Sequence, residues 1–171
     1  TIGNKITLLT TNFTAEICDN DLNGSQSVNL NDYRNQFTAD PSVTLTYHAT
    51  LADAQSGING LAVNQIITTP ATFYIRFTSN NGCPNTATLK ISLRSPKKSE
   101  VLKDQIICSN DKAVLNAGDG FTSYLWSTGV TTSTITVGVG TYYVDLGFNG
   151  CTYRQTVTVT AAQAPTITSI V

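Results

Sequence analysis

The sequence predicts an all-β protein made of two tandem β-sandwich domains. Three observations lead to this prediction: a composition that favours strands, short alternating segments between turns, and an internal repeat. Of the 171 residues, 40% are hydrophobic and only 12% are charged, about half the usual charged share of roughly 25%. Threonine, serine and asparagine carry much of the polarity instead. Because β-branched threonine fits a pleated strand and asparagine populates turns, this composition favours strands.

Alternation of apolar and polar residues predicts the strands and their buried faces. In residues 43–48 it places Val43, Leu45 and Tyr47 inward and His48 outward. No segment of helical length shows a 3.6-residue period, so no helix is expected. Short strands separated by glycine and asparagine are typical of an immunoglobulin-like β-sandwich. Further strands are predicted at residues 27–30, 73–78, 86–93, 113–115, 124–127, 134–137, 141–146 and 152–160.

An internal repeat sets the domain organisation. Residues 72–83 and 141–151 share an aromatic-rich strand that ends in Asn-Gly-Cys, and residues 16–21 resemble residues 106–111 around a cysteine. Self-similarity at both ends, in the same order, indicates a duplicated structural unit. The expected divisions are a domain at residues 1–95, a linker at 96–103 and a smaller domain at 104–171.

The four cysteines are expected to form two disulfides, one inside each domain. Four cysteines allow three connectivities, and the repeat selects Cys18–Cys83 and Cys108–Cys151. A zinc site is a poor alternative, because the sequence has no Cys-x-x-Cys pair and its one histidine lies far from any cysteine in sequence. Structural disulfides imply an oxidising, extracytoplasmic compartment.

Three aromatic residues are candidates for ligand binding. Trp126 lies inside a predicted strand, which favours a core position covering the Cys108–Cys151 disulfide; the alternative is a platform on which a sugar stacks. Tyr74 and Tyr143 are predicted to point outward, and they are the candidate contacts for a surface glycan or a protein partner.

The segment after Cys18 matches the opening of a calcium-binding loop. Oxygen-bearing side chains alternate at Asp19, Asp21 and Asn23, and Gly24 permits the sharp turn. The match ends at the twelfth position, where Leu30 stands in place of a bidentate glutamate. The alternative is a polar turn, since aspartate, asparagine and glycine are common turn residues. Calcium is the only cofactor that the sequence suggests, and the fold is not expected to require one.

Composition also argues against several functions. The net charge is −1 and no basic cluster extends beyond Lys97-Lys98, so nucleic-acid binding is not expected. No apolar run approaches the roughly 20 residues that span a bilayer. The carboxylates are scattered and no nucleophile accompanies the histidine, so the chain is not expected to be an enzyme. It has no methionine and no signal peptide, and we expect a monomeric piece of a longer polypeptide.

The repeat residues resemble a known family. They are similar to the Ig-like and PKD-like modules of very large secreted proteins of Bacteroidetes, often exported by type IX secretion and linked to gliding motility. The likeness is carried by Ile107-Cys108, residues 115–118, residues 124–129 and Asn149-Gly150-Cys151 in the second repeat, and by residues 18–21 and Gly82-Cys83 in the first. The resemblance implies a β-sandwich, display on the cell surface in association with the outer membrane, and an adhesin or modular-enzyme context. It supplies no catalytic residues.

Together these observations predict a structural spacer in a secreted or cell-surface adhesin-type protein, whose partners are flanking domains of the same polypeptide. Two alternatives stay open at this point. One is a module that binds a glycan or protein, and the other is an accessory domain of a secreted modular hydrolase.

Overall fold

A computed structural model of the chain describes residues 4–80 and 82–163. They form two compact units that divide between Ser95 and Pro96. We call the part up to Ser95 unit 1 and the part from Pro96 onward unit 2. Strands dominate both units, which confirms the prediction of an all-β, tandem β-sandwich protein. Within the described residues, no helix has the length and apolar character needed to cross a membrane.

The described part of unit 1 contains six strands in two sheets. They are β1 (Asn12–Cys18), β2 (Gln26–Asn29), β3 (Thr44–His48), β4 (Asn64–Ile67), β5 (Ala71–Ser79) and β6 (Gly82–Arg94). The larger sheet has the order β1-β6-β5-β3, and the smaller sheet pairs β2 with β4. Strand β1 runs parallel to β6, whereas all other neighbours are antiparallel. Because the first four strands alternate between the two sheets, the arrangement is that of an immunoglobulin-like sandwich.

Both sheets of unit 1 contribute to one hydrophobic core. Phe73, Ile75 and Phe77 alternate along β5 and are all buried, as the period-two pattern predicts. Val28 of β2 and Ile67 of β4 pack into the same cluster from the smaller sheet. Burying each large apolar side chain contributes about 1.5–3 kcal/mol, so this interdigitation is the main source of stability of unit 1.

Tyr47 is a buried residue of this core whose polar hydroxyl is hydrogen-bonded. It is 4% exposed, and its hydroxyl donates a hydrogen bond to Asn31 Oδ1 at 2.7 Å. Burial raises the pKa of Tyr47 to about 12, because the ionised phenolate would lose its hydration inside the protein.

Unit 1 also contains short helices that the sequence analysis did not predict. They are a 3₁₀ helix at Leu30–Tyr33, α1 at Arg34–Phe37 and α2 at Leu51–Ser56. Thr50 caps α2, since its Oγ1 accepts a hydrogen bond from the Asp53 N–H at 3.1 Å and its hydroxyl donates to the Asp53 carboxylate at 2.6 Å. Gly57, with φ of 73°, ends the helix in the left-handed region. The pattern Thr-x-x-Asp followed by glycine is the sequence signal from which helix α2 could have been predicted.

His48 is buried, and the prediction that it faces solvent is wrong. The residue is only 1% exposed, because α2 and the loop after it cover that face of β3. His48 Nδ1 lies 2.7 Å from the carbonyl oxygen of Ile58, and Nε2 lies 2.9 Å from Thr46 Oγ1. Since a carbonyl oxygen only accepts, Nδ1 carries a proton.

The described part of unit 2 repeats the same topology with six more strands. They are β7 (Gln105–Ile107), β8 (Ala113–Asn116), β9 (Ser123–Trp126), β10 (Thr134–Val137), β11 (Gly140–Phe148) and β12 (Cys151–Ala161). Their order is β7-β12-β11-β9 in one sheet and β8-β10 in the other, with β7 parallel to β12. Each strand of unit 1 therefore has a counterpart six strands later, so the sequence repeat is also a structural repeat.

Trp126 is buried in the unit 2 core, which favours the core interpretation over the sugar-stacking one. It is 1% exposed, and its Nε1–H donates to the Thr132 carbonyl at 2.8 Å. Tyr142, near the start of β11, donates from its hydroxyl to the Gly138 carbonyl at 3.2 Å. A buried tryptophan and a tyrosine bonded to backbone a few residues upstream are hallmarks of immunoglobulin-type sandwiches.

Candidate functional site

Each unit places one cysteine beside the residue at which the chain leaves the unit. Cys18 ends β1 and pairs in register with Arg94, the last residue of β6. The Asp19 N–H donates to the Arg94 carbonyl at 3.0 Å, which extends the pairing by one residue. Cys108 directly follows Ile107, which ends β7 and pairs in register with the last residue of β12. We call Cys18 and Cys108 the outgoing cysteines.

The other cysteine of unit 1 lies beside the segment that leads into the unit. The Cys83 N–H donates to the carbonyl of Asn4 at 2.9 Å, and the Cys83 carbonyl accepts from the Ile6 N–H at 3.1 Å. The chain therefore runs alongside Cys83 on its way to β1.

Cys151 has the equivalent position in unit 2. It begins β12 and pairs with Phe148 across a two-residue turn. The Lys97 ammonium lies 5.5 Å from the centre of the Phe148 ring. The Gln155 side chain accepts from the Ser99 N–H at 2.8 Å and donates to the Ser99 carbonyl at 3.1 Å. The segment leading into unit 2 thus lies against the start of β12. We call Cys83 and Cys151 the incoming cysteines.

Cys18 and Cys151 are bonded to each other, in a disulfide that links unit 1 to unit 2. Cys83 and Cys108 carry exposed thiols. The predicted intradomain pairings Cys18–Cys83 and Cys108–Cys151 are therefore wrong, and so is the idea that Trp126 covers a disulfide of its own unit.

Strand length explains why neither predicted pairing can form. Cys18 is level with Arg94 at one end of β6, whereas Cys83 is at the other end of the same strand. At about 3.3 Å per residue the two cysteines are roughly 35 Å apart, but a disulfide needs Cα atoms within about 7 Å. In unit 2, β12 separates Cys108 from Cys151 in the same way.

The connection between the units is short, and a bonded cysteine lies at each end of it. Arg94 marks the outgoing end of unit 1, and Lys97 already lies against Phe148 at the incoming end of unit 2. Three residues span at most about 11 Å. The chain therefore leaves unit 1 at the end that carries Cys18 and enters unit 2 at the end that carries Cys151.

The predicted calcium ligands lie together in the turn after β1. The Asp19 carboxylate is buried and accepts hydrogen bonds from the N–H groups of Asn23 at 3.2 Å and Gly24 at 2.8 Å. Asp21 accepts from the Asn23 side-chain amide at 2.6 Å, and Asn23 Oδ1 accepts from the Ser25 N–H at 2.7 Å. These bonds are those of a self-capped polar turn. Calcium binding by this turn stays a prediction.

The two candidate tyrosines lie in different units, on β5 and on β11, and both are half-buried. The Arg154 guanidinium carbon stands 3.9 Å from the centre of the Tyr143 ring and is held there by two hydrogen bonds to Asp145, each 2.7 Å. These bonds also hold the pKa of Asp145 below its usual range. Arg154 thus occupies one face of the Tyr143 ring, and ligand binding by Tyr74 or Tyr143 stays a prediction.

One family model matches part of the chain. Residues 14–97 match the family model of the Flavobacterium inter-domain disulphide bond domain. The match runs from β1 to just past β6 and includes Cys18 and Cys83. It supports an Ig-like module of the kind found in Bacteroidetes. No curated protein matches the chain.

Several solved structures of immunoglobulin domains are similar to the chain at low identity. Sidekick-1 domains 1–4 show 11% identity, covering 93% of this chain and 51% of theirs, with a TM-score of 0.33. The N-terminal four domains of Dscam1 isoform 9.44 show 9% identity, covering 90% and 44%, with a TM-score of 0.30. Titin domains I67–I69, in an E-to-A variant, show 6% identity, covering 88% and 62%, with a TM-score of 0.30. The chain thus spans about half the length of these multidomain fragments.

Proposed function

We propose that the chain is a structural spacer segment of a secreted, adhesin-type surface protein, in which a disulfide ties each Ig-like unit to its neighbour. The observation that carries this proposal is the Cys18–Cys151 bond, which joins two units rather than closing one. A bond between neighbours limits their independent movement, and that is the property a spacer needs.

Each unit has a core that does not depend on a disulfide. In antibody domains the intradomain disulfide joins the two sheets through their cores. In unit 2 the corresponding strands β8 and β11 contribute Leu115, Val144 and Leu146, which are all fully buried in one cluster. Since hydrophobic contacts already close the sandwich, the cysteines at the strand ends are available to connect units.

The chemistry of the chain supports an extracytoplasmic, non-catalytic role. Structural disulfides persist in oxidising compartments, and the family match is to an inter-domain disulphide domain of Flavobacterium. The sequence resemblance to secreted surface modules of Bacteroidetes, including those linked to type IX secretion and gliding motility, supports the same context. The one histidine is held under α2 by Thr46 and Ile58, which leaves it no role in surface chemistry.

Nuclear spin relaxation of the backbone amides tests the proposal. Two units joined by a short segment are expected to move independently unless something restrains them. In the oxidised chain we expect both units to report one common rotational correlation time. In the variant Cys18→Ser/Cys151→Ser each unit should report a shorter time of its own.

The matched control is Cys83→Ser/Cys108→Ser, which removes two thiols and leaves the disulfide in place. It should behave as the wild-type chain does. If the units of the oxidised wild type already tumble independently, the disulfide does not restrain them and the spacer proposal is wrong.

A further inference from the structure

Unit 1 contains a helix that has no equivalent in the described part of unit 2. The connection from β3 to β4 covers residues 49–63 and includes α2, whereas the equivalent connection in unit 2, residues 127–133, has no helix. Helix α2 packs against β3, β5 and β6 of the larger sheet. Because unit 2 forms the same sandwich without such a helix, α2 is an addition to the fold and not a requirement for it.

Helix α2 and the larger sheet border a polar cleft at the surface of unit 1. The cleft has a volume of about 320 Å³, within the range of about 300–1,000 Å³ that small-molecule sites occupy. Arg76 of β5 lies directly across from Thr86 of β6 in the sheet register. The segment before β1 follows the start of β6, where the Asn85 side-chain amide donates to the Ile6 carbonyl at 2.9 Å. The described residues that line the cleft are Lys5, Gln55, Arg76, Pro84, Asn85 and Thr86.

The Arg76 guanidinium is held in the cleft by the end of α2. Its Nη1 donates to the backbone carbonyl of Ala54 at 3.0 Å and also to that of Gln55. Gly57 lies against the same group, and a Cβ there would stand 3.2 Å from Arg76 Nε. A guanidinium has five N–H donors, and within the described residues no acceptor takes those of Nη2. The group is therefore fixed in place and still has donors to offer a ligand, which reduces the entropy lost on binding.

The cleft holds two positive charges that no carboxylate neutralises within the described residues. Lys5 and Arg76 both line it, and neither is part of an ion pair there. The one acidic residue of α2, Asp53, has its carboxylate hydrogen-bonded to the Thr50 hydroxyl and the Asn59 amide instead. The ion pairs of the described residues are Arg94–Glu16 and Arg154–Asp145. The cleft is thus locally positive although the chain has a net charge of −1, and it favours an anion.

The remaining lining groups indicate which kind of anion fits. A planar guanidinium binds a carboxylate through two parallel hydrogen bonds. Gln55, Asn85 and Thr86 add neutral amides and a hydroxyl, which can donate to and accept from the hydroxyl groups of a sugar. Pro84 is the only apolar residue among the described lining residues, so the cleft lacks the hydrophobic surface that usually buries a peptide side chain.

We propose that this cleft of unit 1 binds an acidic polysaccharide through the carboxylate of a uronic acid residue. Arg76 and Lys5 bind the carboxylate, and the amides and the hydroxyl bind the ring hydroxyls. This is a binding function beyond that of a spacer, and it accounts for the helix that distinguishes unit 1 from unit 2.

A nuclear magnetic resonance titration of the oxidised, ¹⁵N-labelled chain tests the proposal. The probe is trigalacturonic acid. We expect saturable shifts of the backbone amides of Gln55, Arg76, Asn85 and Thr86, with a Kd of about 1 mM. The neutral methyl ester of the same trimer should bind about tenfold more weakly or worse, because it has lost the carboxylate charge. Raising the salt from about 50 mM to about 500 mM should also weaken binding, since it screens exposed charges.

Variants of the two cationic residues locate the site. Lys5→Gln and Arg76→Lys should each weaken binding by about three- to tenfold, the second because lysine keeps the charge but not the planar fork. Since Arg76 also holds the end of α2, Lys5→Gln is the decisive variant, as it leaves those hydrogen bonds in place. The matched control is Lys90→Gln, which removes an exposed positive charge from β6 outside the cleft and should change the Kd by less than about twofold.

Three outcomes would overturn the inference. The first is the lack of any saturable shift at these amides with about 20 mM of the trimer. The second is an equal loss of affinity in Lys5→Gln and Lys90→Gln, which would indicate general attraction between charges. The third is that a tetra-aspartate peptide binds as tightly as the trimer, since the ligand would then be an acidic peptide. No variant here alters the disulfide, so the spacer proposal and this one can each fail without the other.

Discussion

Removing the Cys18–Cys151 disulfide should destabilise both units, although neither unit contains the whole bond. The perturbation is the variant Cys18→Ser/Cys151→Ser. When unit 2 unfolds while unit 1 stays folded, the bond holds Cys151 next to Arg94, since Arg94 is level with Cys18. The unfolded segment is then a closed loop instead of an open chain, and its conformational entropy is lower.

The loss in free energy of unfolding can be calculated from the length of that loop. From Ser95 to Cys151 it contains roughly 55 residues, for which the chain-entropy treatment gives about 4 kcal/mol at 25 °C. The corresponding loop for unit 1, from Cys18 to the start of unit 2, is somewhat longer and gives a similar value. For a unit this small, with an m-value of about 2 kcal/mol per molar guanidinium chloride, the unfolding midpoint should fall by about 2 M.

The assay uses the fluorescence of Trp126, the only tryptophan of the chain. Because it is buried in the core of unit 2, its emission reports unfolding of that unit alone. Guanidinium titrations of the wild type, of Cys18→Ser/Cys151→Ser and of Cys83→Ser/Cys108→Ser would be compared. The last variant changes exposed thiols and should lie within about 0.5 kcal/mol of the wild type.

The reasoning would be refuted if removing the disulfide lowered the free energy of unfolding measured by Trp126 fluorescence by less than about 1 kcal/mol, which is a midpoint shift of less than about 0.5 M. It would also be refuted if both double variants lost the same stability, because the effect would then come from the serines and not from the closed loop.

Three further predictions concern single sites. Burial raises the pKa of Tyr47 to about 12 from an ordinary value of 10. The stability that unit 1 gains from the neutral Tyr47 side chain is therefore complete below pH 10 and is lost as the pH rises toward 12. Guanidinium midpoints of unit 1 should fall over that interval in the wild type but not in Tyr47→Phe. Trp126→Ala should destabilise unit 2 by about 3–5 kcal/mol, because the substitution leaves a cavity and removes the hydrogen bond to Thr132. Unfolding followed by circular dichroism measures this loss, and a loss below about 1 kcal/mol would contradict the core assignment. If Asp19, Asp21 and Asn23 hold calcium, an excess of about a hundredfold over its Kd should stabilise unit 1 by about 2.7 kcal/mol, and Asp21→Asn should abolish the effect; an unchanged melting temperature would dismiss the site.

Local patterns were enough to predict most of the strands. The alternation that buries Phe73, Ile75 and Phe77 is a property of neighbouring residues, and β5 follows it. The Asn149-Gly150 pair likewise predicts the tight turn between β11 and β12, since both residues adopt positive φ there.

Pairing between distant segments was not predictable from the same patterns. Strand β1 has its own alternation at Phe13, Ala15 and Ile17, but nothing local shows that it pairs in parallel with the last strand of the unit. Without that pairing, the two cysteines of one unit could not be placed at opposite ends of a long strand. The repeat showed which cysteines are equivalent, and equivalence does not distinguish a bond within a unit from a bond to the next one.

His48 was wrongly placed for a related reason. Alternation correctly puts it on the opposite face from Tyr47, but that face is covered by α2. A helix of six residues is too short to show a period, so its capping residues were the only local sign that this face of the sheet is not open to water.

The position of the disulfide also determines how the chain carries tension. A tensile force applied to the chain before Cys18 and after Cys151 is transmitted through the disulfide and not through the residues between the two cysteines. Roughly 130 residues, or about 450 Å of extended chain, are then shielded from the load. Strands β2 to β11 lie inside the shielded loop, so only the hydrogen bonds of β1 and β12, which lie outside it, bear the force. Stretching the rest of the segment requires breaking or reducing a covalent bond. The folded units would then serve to keep the two sulfurs in place, while the sulfurs carry the mechanical load.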